Sequence, residues 1–83
     1  MFRRLKYTIF NMDVNYFLKE LSIILEVSIK DVSMKDKLSK FDTWDSLAMM
    51  SFVIFFRDKT NNEIDPIEVS KCQSISSLFD LIN

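Results

Sequence analysis

The chain of 83 residues contains no glycine and a single proline, and this absence limits its backbone more than any other feature. Sharp turns and left-handed positions must be taken by residues that carry a side chain, so neither a GxGxxG nucleotide loop nor a P-loop can be built. There is no histidine either, which removes Ser-His triads, histidine general bases and histidine-rich metal sites. Cys72 is the only cysteine; it permits no internal disulfide and no thiolate zinc cluster. Only a core is left to hold the fold together. A chain of this length buries about 60–65% of its unfolded surface, so a high apolar fraction is required. The fraction is 48%, with eight phenylalanines, which supports a compact domain and argues against disorder. Any reactive group this protein uses must be brought in from outside.

No window holds the roughly 18 consecutive apolar residues of a membrane span; the densest run, Leu47 to Phe56, is interrupted by Ser51. We expect a cytoplasmic monomer without membrane insertion. Residues 1–11 carry Arg3, Arg4 and Lys6 among interrupted apolar residues and lack a small-residue cleavage site, so they read as a basic, apolar extension and not as a signal peptide. Met12 offers an alternative start, and residues 12–83 form the domain. There is no repeat, low-complexity tract or linker to mark a second one.

The fold class expected is all-α, a four-helix bundle of three principal helices and one short one. Val14, Phe17, Leu18, Leu21, Ile24 and Leu25 share one helical stripe, predicting a helix over 13–27 capped by Asp13. A long connection follows, 28–45, in which Ile29, Val32, Leu38, Phe41 and Trp44 are expected to pin the loop to the core. The second helix is expected over 46–59, ended by Asn61 and Asn62 in place of the missing glycine. Its apolar residues form two stripes. Met49, Phe52, Val53 and Phe56 suit the core, whereas Leu47, Met50 and Ile54 lie on a different side. Asp65 and Pro66 start a short helix over 66–70, and Ser74 caps the last one, over 75–82.

Trp44-Asp45-Ser46-Leu47 stand where the long loop ends and the apolar helix begins. A serine there lies among unsatisfied backbone N–H groups at the positive end of a helix dipole, a favourable place for a phosphate. This arrangement, with Val32 and Leu38 in the loop, Glu63-Ile64 after the helix, and Ser74-Ile75, Asp80 and Ile82 at the end, resembles the acyl carrier proteins over residues 13–82. The resemblance implies that Ser46 is the attachment point of phosphopantetheine from coenzyme A, and that Asp45 is a recognition element for the phosphopantetheinyl transferase. It implies a non-enzymatic phosphoprotein that carries acyl or aminoacyl groups as thioesters, in fatty acid or secondary metabolite biosynthesis, between loading and transfer enzymes. Asp45 and Ser46 are also residue types that cap helices routinely. Cys72 reads as a buried or half-buried structural residue, because no histidine pairs with it.

The chain departs from that family in its charge. Typical carriers present acidic residues on the second helix. Here the corresponding positions, expected to be exposed, are Ala48 and Ser51, and the helix ends in Arg57, Asp58 and Lys59. The family's glycine before Asp-Ser-Leu is replaced by Thr43. Residues 1–40 have eight basic and five acidic residues, and residues 41–83 have three basic and seven acidic, so the half with Ser46 keeps a muted acidity. With charge steering weak, Leu47, Met50 and Ile54 become the expected partner-docking stripe. An alternative keeps the same fold with Ser46 unmodified, as an interaction module docking through that stripe. A nucleic-acid-binding domain fits poorly. The net charge is −1 and the best helix is apolar where a recognition helix needs polar and basic side chains.

Overall fold

Asp13 begins the first helix, accepting a hydrogen bond from the Tyr16 backbone N–H at 3.0 Å. The computed structural model describes residues 12–61 and 63–82; the basic extension expected over 1–11, and Asn62, lie outside the described residues. Among the described residues there are four α-helices and no β-strand: α1 (Val14–Leu25), α2 (Ser46–Thr60), α3 (Pro66–Lys71) and α4 (Ile75–Ile82). The protein is a small all-α bundle.

Ahead of the Asp13 cap, Met12 is buried in the same cluster as Phe17, one turn into α1. These are the two positions of a hydrophobic staple, which fixes how the chain enters a helix. The helix stops at Leu25, two residues short of the expected end. Glu26 turns left-handed at φ 60° and its N–H donates to the Ile23 carbonyl, while the Val27 N–H reaches the Ser22 carbonyl at 3.0 Å. That pair of bonds is a Schellman closure, normally built on glycine. In a chain without glycine a glutamate takes the position, a conformation that costs an L-residue about 1–2 kcal/mol. At the end of α2, Asn61 does the same at φ 57°, its N–H donating to the Arg57 carbonyl at 2.8 Å.

The core is aromatic. Phe17 of α1 and Phe52 and Phe56 of α2 are fully buried, with ring centroids 6.4 Å (Phe17 to Phe52), 5.4 Å (Phe17 to Phe56) and 4.7 Å (Phe52 to Phe56) apart. Trp44 meets Phe52 edge-on at 6.1 Å and Phe79 of α4 meets Phe17 at 5.0 Å, spacings at which aromatic pairs add to simple burial. Lys59 near the end of α2 lies over the Tyr16 ring near the start of α1, 5.7 Å from its centroid. At the other end the Thr43 hydroxyl, just before α2, donates to the last carbonyl of α1. The two long helices therefore run antiparallel.

The connection between them is pinned, as its spaced apolar residues predict, at Val32, Leu38 and Phe41, all buried. It includes two short 3-10 turns, Ile29–Asp31 and Leu38–Lys40. Ile29 departs from the expectation: it stands at the start of the first turn, exposed. Asp36 organises the second half of the loop. Its carboxylate accepts from the Ser33 N–H at 2.9 Å and the Lys40 ammonium at 3.2 Å, and its carbonyl accepts the Ile75 N–H at 3.0 Å. The Met34 carbonyl takes the Ser76 N–H at 3.0 Å, and the Leu38 N–H donates to Gln73 at 2.8 Å. Loop carbonyls thus satisfy first-turn amides of α4 that a helix leaves open. Ser74 caps the same helix reciprocally with Ser77: its Oγ accepts the Ser77 N–H, and the Ser77 Oγ accepts the Ser74 N–H. On α3, Asp65 caps by accepting the Ile67 N–H at 2.9 Å, and Pro66 opens the helix.

Truncating a large buried aromatic costs about 3–5 kcal/mol, a large part of the roughly 5–15 kcal/mol that holds a typical domain. We expect Phe52→Ala to abolish cooperative thermal unfolding followed by circular dichroism, and Ile29→Ala, at an exposed position, to leave the midpoint nearly unchanged.

Candidate functional site

The junction from the loop into α2 is built from four consecutive residues, each doing something different. The Thr43 hydroxyl donates to the Leu25 carbonyl at 2.6 Å, tying the loop to the end of α1. Trp44, half-buried, donates its backbone N–H to the Phe41 carbonyl at 3.1 Å and sets its ring against Phe52. Asp45, in an extended conformation, is the N-cap: its Oδ1 accepts the Ala48 N–H at 2.9 Å. Ser46 is the first residue of α2 and is exposed. Because Asp45 makes the cap, the Ser46 hydroxyl is left without a hydrogen-bond partner among the described residues, and so are the backbone N–H groups of Ser46 and Leu47. An accessible hydroxyl thus sits beside two open amide donors at the positive end of a 15-residue helix.

The stripe beside Ser46 faces water as expected: Leu47 is 75%, Met50 46% and Ile54 50% exposed. Ser51 is exposed too. Ala48 is a correction. It was expected to be exposed, but retains only 6% of its surface, because it lies one turn before Phe52 on the core face of α2. Met49, assigned to the core stripe, is half-buried at that face's margin. The seven acidic side chains of the C-terminal half, Asp42, Asp45, Asp58, Glu63, Asp65, Glu68 and Asp80, are all exposed. Cys72 is half-buried, and its Sγ donates to the Glu68 carbonyl at 3.4 Å.

A cleft of about 150 Å³ opens between the end of α1 and the start of α2. It is lined by Ile24 and Glu26 from the end of α1, Thr43 and Asp45 ahead of α2, and Leu47, Ala48 and Ser51 of α2. The periodicity of α1 places Ile24 on the apolar stripe but gives no reason to bring it to the start of α2. Glu26 and Thr43 were also missed. The bond from Thr43 spans 18 residues, and no local pattern announces it; a glutamate in the left-handed position is likewise unsignalled.

Among the described residues no group of histidine, cysteine, aspartate or glutamate side chains is arranged to hold a metal ion, and no helix is long and apolar enough to cross a membrane. Comparisons of the chain with protein-family models, curated proteins and solved structures found no match. The functional reading rests on the residues and their geometry.

The division of labour between Asp45 and Ser46 is measurable. Loss of an N-cap costs about 0.5–2 kcal/mol, so Asp45→Ala should lower the unfolding free energy in urea by that amount. Ser46→Ala, which removes a hydroxyl with no partner, should leave it almost unchanged. Thr43→Val, leaving the Leu25 carbonyl short of a donor, should cost about 1 kcal/mol.

Proposed function

We propose that this protein is an acyl carrier protein, modified at Ser46 with phosphopantetheine from coenzyme A. The observation that carries the reading is an exposed, unpartnered serine hydroxyl at the first residue of a long helix, within Trp44-Asp45-Ser46-Leu47 and ahead of an exposed apolar stripe. The residues fit the group. The open N–H groups of Ser46 and Leu47 suit a phosphodiester oxygen, and the hydroxyl that would be esterified contributes no bond to the fold, so its modification disturbs nothing. When attached, the group supplies a terminal thiol, which holds acyl or aminoacyl cargo as a thioester.

The protein's own residues position and present; they do not catalyse. Ser46 has no general base beside it: the neighbouring Asp45 has one carboxylate oxygen engaged by the Ala48 N–H, and an unactivated serine is a poor nucleophile. Activation falls to the phosphopantetheinyl transferase, for which Asp45 serves as a recognition element. Leu47, Met50 and Ile54 form the surface on which loading and transfer enzymes dock. Apolar contact then replaces the acidic steering of typical carriers, and Met50 suits an adaptable interface. No nucleic acid is a partner in this reading, and the cargo routes are those of fatty acid or secondary metabolite biosynthesis.

Incubation with coenzyme A and a broad-specificity phosphopantetheinyl transferase should raise the intact mass by one arm, and Ser46→Ala should remain folded and gain nothing. An unchanged mass with several transferases would sink this reading in favour of an unmodified interaction module that uses the same stripe. Met50→Glu, at an exposed position, should keep the melting temperature while slowing transfer by partner enzymes. A collapse in thermal stability would instead show that Met50 supports the core.

A further inference from the structure

We propose that residues 1–11 lie back along the outer face of α2, with Leu5, Tyr7 and Ile9 over the stripe of Leu47, Met50 and Ile54, and with Arg3 and Arg4 at the acidic start of that helix. The contact needs no modification of Ser46 and is independent of the carrier reading. Among the described residues the stripe is uncovered, Leu47 being 75% and Ile54 50% exposed. Residues 1–11, outside the described part of the chain, carry matching side chains. In Leu5-Lys6-Tyr7-Thr8-Ile9 apolar and polar residues alternate, which puts Leu5, Tyr7 and Ile9 on one side of an extended segment. From Leu5 to Ile9 such a segment spans about 13 Å, and from Leu47 to Ile54 a helix rises about 10.5 Å, so three side chains meet three.

Attachment and reach set the direction. Met12 is buried in one cluster with Phe17 of α1, and this end of α1 lies beside the end of α2, the Lys59 ammonium being 5.7 Å from the Tyr16 ring centroid. A segment leaving Met12 along the stripe therefore runs from the end of α2 toward its start. Extended, the eight steps from Met12 back to Arg4 reach about 26–29 Å, against about 22 Å for the 15 residues of α2. Charge agrees with that direction. The end of α2 carries Arg57 and Lys59, and residues 7–11, which pass it, are uncharged. Residues 1–6 hold three basic residues and no acidic one, and they arrive where Asp42 and Asp45 are exposed and make no ion pair among the described residues. The contact is within one chain, so effective concentration favours it although the interface is small. A partner that docks on the stripe first displaces residues 1–11, and salt, by screening the arginines, eases that displacement.

The test is methyl NMR on the full chain. Cross-peaks from the Leu5 and Ile9 methyls to those of Leu47, Met50 and Ile54 are expected, with relative intensities unchanged on dilution. In Leu5→Asp with Ile9→Asp the stripe methyls should shift while those of the buried Leu21 and Leu78 stay in place. Arg3→Glu with Arg4→Glu should weaken the Leu5 to Leu47 cross-peak several-fold; an undiminished one overturns the contact, because its direction rests on those charges. Absence of any cross-peak between residues 1–11 and the stripe overturns it as well and leaves the stripe to a partner. Cross-peaks seen only between chains, in a mixture of labelled and unlabelled protein, overturn it in favour of a second copy.

Discussion

The fold depends on the contact of Phe17 with Phe52 and Phe56. These three rings join the two long helices, and they are buried to the last atom. With no disulfide, and among the described residues no metal group and one ion pair, between Lys40 and Asp36, burial of apolar surface has to outweigh the chain entropy of ordering the domain. The cluster spreads outward from there: Trp44 at one edge of Phe52 and Phe79 at the edge of Phe17. Through Trp44 the same cluster reaches the residue two places before Ser46. Core packing and site placement are one problem in this protein, because the junction into α2 is held on one side by an aromatic ring and on the other by the Thr43 hydroxyl.

That junction also explains how a long loop can be ordered without glycine. Connections of this length usually pay in mobility or in exposed backbone. Here the loop spends its carbonyls on another helix. Asp36 and Met34 accept the first amides of α4, and Leu38 returns a bond to Gln73, so the loop and the last helix cap each other. The left-handed positions that remain, at Glu26 and Asn61, sit at the ends of the two long helices, where the closing hydrogen bonds offset the strain of a side chain in that conformation.

Helices were legible in the sequence wherever a period and a cap coincided. Asp13, Asp65 and Ser74 cap as their chemistry predicts, Asn61 ends α2, and the stripe of Phe52, Val53 and Phe56 is buried. The failures have separate causes. The end of α1 was set two residues late, because Val27 keeps the apolar period while Glu26, an unremarkable polar residue, carries the break. Ala48 was read from its place in a family pattern, whereas its burial follows from standing four residues before Phe52. Ile29 was read as an anchor from its apolarity alone, and a 3-10 turn points it outward. The cleft has no local signal for a different reason: its lining comes from residues 24–26 and 43–51, and such a meeting depends on how two helices dock, not on any local pattern.

The outer face of α2 calls for a reason that folding does not supply. Single exposed apolar residues are ordinary, but Leu47, Met50 and Ile54 share one side of one helix, and Leu47 is 75% exposed immediately after Ser46. Side chains left in water this far contribute little to the transfer free energy that stabilises the core. The core face of α2 is already complete with Ala48, Phe52, Val53, Phe56 and Thr60, so the outer stripe could be polar without loss of packing. A helix apolar on both sides is favourable when its second side is covered part of the time. Under the proposed carrier reading, in which several enzymes are met in turn, a small apolar stripe with a flexible methionine at its centre suits repeated, adaptable contact.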